Sequence, residues 1–141
     1  MPIRSRSRAL AVRPATDSAI EPPKSRSLFA CDRLADAHVV ARLLERPVAA
    51  DPAELLDFEA LEPEGSGLIL LFASDGARAA GRIYRRLSDE DFARLDAYQG
   101  ALEGLTFREI GRVVPPGGDA AGGEEAWIYL PTERLAGRAL G

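Results

Sequence analysis

At 141 residues and 15.1 kDa, with 46% apolar residues, 28% charged residues and a formal net charge of -4, the chain has the length of one domain. A domain of that size buries roughly 70% of its unfolded surface without needing staples. One cysteine excludes an internal disulfide framework and a cysteine-based zinc site, and one histidine, His38, leaves metal clusters and Ser-His or Cys-His triads unsupplied, so no metal or cofactor is expected.

In chain order, residues 1–26 carry Arg4, Arg6, Arg8, Arg13, Lys24 and Arg26 against Asp17 and Glu21, a balance of +4, while the rest stands at -8. Rich in Ser and Pro and without a sustained period, this segment reads as a flexible basic arm. It lacks interleaved aromatics and precedes an acidic body, so no nucleic-acid partner is expected. It has no continuous apolar core of a secretory signal, and its Arg and Ser content leaves a transit peptide as the competing reading. Arginine outnumbers lysine 17 to 1, which reads as base composition rather than as a set of phosphate forks.

The apolar stretch 27–31 (S-L-F-A-C) predicts a first strand, and Asp32 can cap a helix over 33–45 that Pro47 stops. Residues 55–61 alternate as a strand, 62–67 (E-P-E-G-S-G) form a loop, and 67–74 fit a strand buried on both faces. That last segment contains the longest apolar run, 68–73, far short of the roughly 20 residues of a membrane helix, so a soluble, cytoplasmic protein is expected. Asp75-Gly76 signals a turn into a further strand over 80–87. Ser88 and Asp91 have capping-box spacing, Phe92, Leu95 and Tyr98 share one helix face, and Gln99-Gly100 ends that helix. A strand over 106–114, a Pro- and Gly-rich hairpin loop over 115–123 and a strand over 125–130 follow, and the tail 133–141 holds at most a short helix. About six strands and two main helices in mixed order predict an α+β domain over 27–132, a small curled sheet or barrel.

The stretch 81–100, G-R-I-Y-R-R-L-S-D-E-D-F-A-R-L-D-A-Y-Q-G, resembles the gamma-glutamylcyclotransferase-like family, the small domains that include plant avirulence-induced proteins. That family has a G-x-[LIV]-Y strand, an "sdedlarLDxxEG" helix, a "YRR-x-x-V" strand and a hairpin ending in "A-W-x-Y". The later pieces match here as F-R-E-I at 107–110 and A-W-I-Y at 126–129, and L-F-A-C-D-R-L at 28–34 stands where the family carries L-F-V-Y-G-T-L. The likeness covers about 27–131 and implies the family's fold and a cavity between sheet and helices.

The resemblance also implies a site. In the family, the Tyr-Gly-Ser/Thr loop lets backbone N–H groups approach the substrate carboxylate. The glutamate of the helix end moves a proton at the substrate amine, which attacks the gamma-amide carbonyl and releases 5-oxoproline. Here Cys31, Asp32 and Arg33 occupy the loop, so a carboxylate replaces the glycine where an anion would dock. Gln99 stands at the glutamate position and cannot take a proton at neutral pH. Loss of a general base alone costs roughly 100- to 10,000-fold. Glu103 is the substitute base the sequence offers, with Asp57 and Glu59 behind it, and each competes with the plainer reading of a solvated acid.

Cys31 as a thiolate nucleophile is opposed by Asp32 and lacks a base other than His38, itself read as a surface or packed histidine. Tyr84, Tyr98, Trp127 and Tyr129 read as core and rim. Cys31, Asp32, Arg33, Leu34 and Arg108 are the expected ligand contacts. The function expected is a non-cyclising relative that binds a small polar or gamma-glutamyl-type ligand or a partner in the cavity. An active cyclotransferase using Glu103 is the alternative, and an interaction module working through the arm is a third reading.

Overall fold

The computed structural model describes residues 25–140, and the basic arm through residue 24 lies outside them. The last two residues assigned to that arm are tied to the body. Ser25 accepts from the Trp127 indole N–H at its carbonyl (2.9 Å), and the Leu87 amide donates to the Arg26 carbonyl (2.9 Å).

Five strands close a barrel. In chain order they are β1 (Leu28–Ala30), β2 (Asp51–Leu61), β3 (Leu70–Tyr84), β4 (Thr106–Val114) and β5 (Glu124–Pro131), and around the barrel they run β1-β3-β2-β4-β5. All neighbours are antiparallel except β5 and β1, whose parallel contact at Leu28 and Trp127 closes the ring, with the Trp127 amide donating to the Ser27 carbonyl (2.8 Å). The ring is narrowest at two seams, the single β5–β1 bridge and the two β2–β4 pairs Glu54↔Val114 and Leu55↔Val113.

The two strands expected over 67–74 and 80–87 are one 15-residue strand, β3, and Asp75-Gly76 is not a hairpin turn. Between the pairs Leu56↔Arg78 and Phe58↔Ala73 the register jumps, so Asp57 alone faces four residues of β3. Asp57 (φ 67) and Gly76 (φ 82) both adopt left-handed backbone there, and the Gly76 amide donates to Asp57 Oδ1 (3.0 Å). The Asp-Gly pair supplies the backbone a bulge needs rather than a reversal. The run within 67–74 is buried only at Leu70 and Leu71, because the outer half of this ribbon has one solvent face.

The first helix is also subdivided. Asp32 caps a single 3-10 turn, Arg33–Ala35, and Asp36 restarts the chain as α1 (Ala37–Leu44), accepting from the His38 amide (2.9 Å). Helix α2 (Asp89–Tyr98) begins with the expected capping box, Ser88 and Asp91 exchanging side-chain-to-amide bonds of 3.0 and 2.9 Å. Arg46 also forks onto the Asp91 carboxylate at 2.6 and 2.7 Å, joining the end of α1 to the start of α2. The tail forms a third helix, α3 (Glu133–Leu140).

Strand alternation divides the core. Phe29, Leu55, Ile83, Val113 and Ile128 fill the barrel, whereas Leu28, Leu34, Val40, Tyr84, Phe92 and Leu95 pack the helices on its outside. Each such side chain, fully buried, contributes about 1.5–3 kcal/mol. Gly81 opens the G-R-I-Y stretch because a Cβ there would stand 2.3 Å from the Ala30 carbonyl oxygen, so only glycine lets β1 lie against β3. That close approach fixes where β1 ends and where the loop after it emerges.

Candidate functional site

The loop Cys31, Asp32, Arg33 leaves the end of β1 and faces the C-terminal end of α2, where Gln99 caps the helix. Gly100, in left-handed backbone (φ 80), then turns the chain, with the Leu105 amide donating to its carbonyl (3.0 Å). The two segments meet: Gln99 Nε2 donates to Asp32 Oδ2 at 3.0 Å. The other carboxylate oxygen, Oδ1, accepts from the Leu34 amide at 3.0 Å. Both departures read in the sequence therefore belong to one contact across 67 residues of chain. The glutamine supplies a donor that a glutamate would not.

Asp32, Arg33 and Gln99 lie in a cleft of about 300 Å³. Its walls are largely apolar and come from Ile69, Leu70, Tyr98, Leu105 and Leu135. The ring of Tyr129 lies on the inner side, and its hydroxyl donates to Asp96 (2.6 Å). Burial, followed by the Asp96 contact, pushes the Tyr129 hydroxyl well above its ordinary pKa. Thr106 Oγ1 donates to the Gln99 carbonyl (3.0 Å), fixing the end of α2 against the start of β4.

The other expected site residues divide between this cleft and elsewhere. Cys31 lines its inner recess, and burial, then the Asp32 charge, push its thiol up to about 12, which keeps it protonated at neutral pH. Arg33 is exposed at the cleft rim, without an ion pair among the described residues. Leu34 is core, and of its polar groups the amide binds Asp32 and the carbonyl accepts from the Tyr84 hydroxyl. Arg108 is outside the cleft. It forks onto Asp96 (2.8 and 3.2 Å) and stacks over the rings of Phe92 (4.6 Å) and Trp127 (4.9 Å).

Glu103 sits exposed on a 3-10 turn, Ala101–Glu103, and is not among the cleft-lining residues. Asp57 holds the bulge, and His38 is exposed beside Asp36 (3.3 Å). Asp96, Leu105, Thr106 and Leu135 had no part in the sequence reading of the site. Asp96 alone carried a signal, as the aspartate of the L-D pair in the 81–100 stretch. Among the described residues no group of three or more His, Cys, Asp or Glu side chains is placed to hold a metal, and no helix is long and apolar enough to cross a membrane.

No family model matches the sequence. No curated protein matches it either. The structure is similar to that of the Arabidopsis thaliana protein At5g39720.1, solved in solution, with a TM-score of 0.67 at 16% identity over 86% of this chain and 78% of that one. It is similar to that of At3g28950.1 from the same plant at a TM-score of 0.67 and 21% identity, over 85% and 70% of the two chains. It is similar to a gamma-glutamyl cyclotransferase at a TM-score of 0.59 and 21% identity, over 77% and 67%. At these identities the likeness is one of fold, and the chain has the gamma-glutamyl cyclotransferase-like α+β barrel that its sequence resembles.

Proposed function

We propose that this protein of gamma-glutamyl cyclotransferase-like fold binds a small molecule in the Asp32–Gln99 cleft and does not release 5-oxoproline. The observation that carries this reading is the 3.0 Å bond between the Gln99 amide and the Asp32 carboxylate. A substrate carboxylate brought to this loop would meet a carboxylate, and the Leu34 amide that could receive it is already taken by Asp32. At the helix end, an amide cannot carry the proton between amine and leaving group. Glu103, the substitute base of the alternative reading, is on an exposed turn outside the cleft, which favours the non-cyclising reading.

The test is 5-oxoproline release from a panel of gamma-glutamyl amines and dipeptides. Wild-type protein is expected to give none, and the double variant Asp32→Gly/Gln99→Glu, shown to be folded, is expected to gain turnover. Turnover by wild-type protein that Glu103→Ala abolishes would overturn the proposal in favour of the enzyme.

A further inference from the structure

Four donors around Asp32 are engaged within the protein. The Leu34 amide and the Gln99 amide nitrogen both donate to Asp32, the Thr106 hydroxyl donates to the Gln99 carbonyl, and the Tyr129 hydroxyl donates to Asp96. Beside them lies unused acceptor capacity. The Asp32 carboxylate, half-buried, has spare lone pairs, and its two bonds are to neutral donors, with no ion pair among the described residues. Gln99 Oε1, beside it, accepts no bond among the described residues.

Burial first, and the Asp32 charge second, raise the Cys31 thiol beside it. Arg33 carries the nearest opposite charge along the chain, but it is solvent-exposed at the rim, where water screens it. The walls above the carboxylate are aliphatic or aromatic: Ile69, Leu70, Tyr98, Leu105 and Leu135.

We propose that the cleft is specific for a primary alkylammonium, its N–H donors on Asp32 Oδ2 and Gln99 Oε1 and its apolar body against Ile69, Leu70 and Leu105. The polarity of the site is thus the reverse of one built to hold a carboxylate. This inference rests on the reading of the cleft as a small-molecule site and names the class of ligand. An ammonium group matches two adjacent acceptors with its three donors, and its charge offsets a carboxylate that has no ion pair among the described residues. A carboxylate ligand of the same length would meet like charge at the floor.

The experiment is titration calorimetry of the wild-type protein with n-hexylammonium, n-hexanol and hexanoate, with thermal shift as a second readout. Hexylammonium is expected to bind about tenfold or more tightly than hexanol, and hexanoate not measurably. Asp32→Asn keeps an acceptor for the Leu34 amide, the Gln99 amide can turn its Oε1 to the new NH2, and the preference should fall to about that of the alcohol. Ile69→Trp, at a wall position 38% exposed and so outside the core, should block binding without unfolding the protein. Preferential binding of hexanoate, lost in Ile69→Trp, would overturn the inference and leave the cleft a small-molecule site. Binding of hexylammonium unchanged in Asp32→Asn would overturn it as well. No binding of any of the three would overturn the inference, and only 5-oxoproline turnover by wild-type protein would overturn the non-cyclising reading.

Discussion

Restoring the glutamate at position 99 on its own should destabilise the protein. In Gln99→Glu a second carboxylate replaces an amide nitrogen that lies 3.0 Å from Asp32 Oδ2. Two unit charges at that distance repel by about 5 kcal/mol at an effective dielectric of about 20. The cost has a ceiling, because the pair can take up one proton. At pH 7 that costs about 1.4 kcal/mol for each of the roughly three pH units above an ordinary carboxyl value, about 4 kcal/mol in all. Both side chains are half-buried, so rotation and water lower the cost further.

We expect a loss of about 2 kcal/mol at pH 7, to which the broken hydrogen bond contributes roughly 1. The folded variant holds a proton that the unfolded chain releases above about pH 4, so the deficit is smallest near pH 4 and grows as the pH rises to 7. Adding Asp32→Asn restores one carboxylate and one amide, and should recover most of the loss. Urea unfolding of the four proteins of this cycle at pH 4 and 7 gives the coupling energy directly. A Gln99→Glu protein within about 0.5 kcal/mol of wild type at pH 7, with no coupling to Asp32, would refute the contact as the organising interaction of the site.

The Arg46 guanidinium on Asp91, against a smaller opposing effect of burial, holds that carboxyl at about 2. A depressed folded value means stability that is complete above about pH 4 and is lost as the pH falls toward 2, an acid limb of about 2 kcal/mol. Asp91→Ala removes both the fork and the helix cap, so urea unfolding should show a loss of about 3 kcal/mol at pH 7 and a flattened acid limb. A steep acid limb surviving in Asp91→Ala would place it on other carboxyls. With its thiol pushed up to about 12, Cys31 should resist iodoacetamide at pH 8 in native protein and react after unfolding. Native labelling at the rate of a free thiol would show that the recess is open.

Local signals were legible where chain neighbours alone decide the geometry. The capping box at Ser88 and Asp91, the stop at Gln99-Gly100 and the strand over Thr106–Val114 form as the sequence reads. Asp75-Gly76 misled, because the same left-handed backbone serves a hairpin turn or a bulge. The choice was made by β2, which pairs with β3 on both sides of Asp57. The first helix broke at Asp36 for a related reason. Asp32 and Asp36 are both good caps, and the Asp32 turn is held at a distance by Gln99 and by Tyr84, whose hydroxyl bonds the Leu34 carbonyl.

Arg108 illustrates the limit for the site. Its place in a strand marks it as a side chain of β4, but its stacking on Phe92 and Trp127 and its fork onto Asp96 depend on two other elements, α2 and β5.

From its sequence alone this protein has the barrel's strand alternation, the capping box that starts α2, and an aspartate and a glutamine at the two positions the resemblance marks. Those follow from residue type and spacing, which are local properties. Only the tertiary structure decided that these two side chains face one another, that Glu103 is outside the cleft and that the Leu34 and Gln99 amides both donate to Asp32. Hydrogen bonds saturate and act over about 3 Å. Whether a carboxylate repels a ligand, binds one or is satisfied internally depends on which distant groups closure of the barrel brings within that reach.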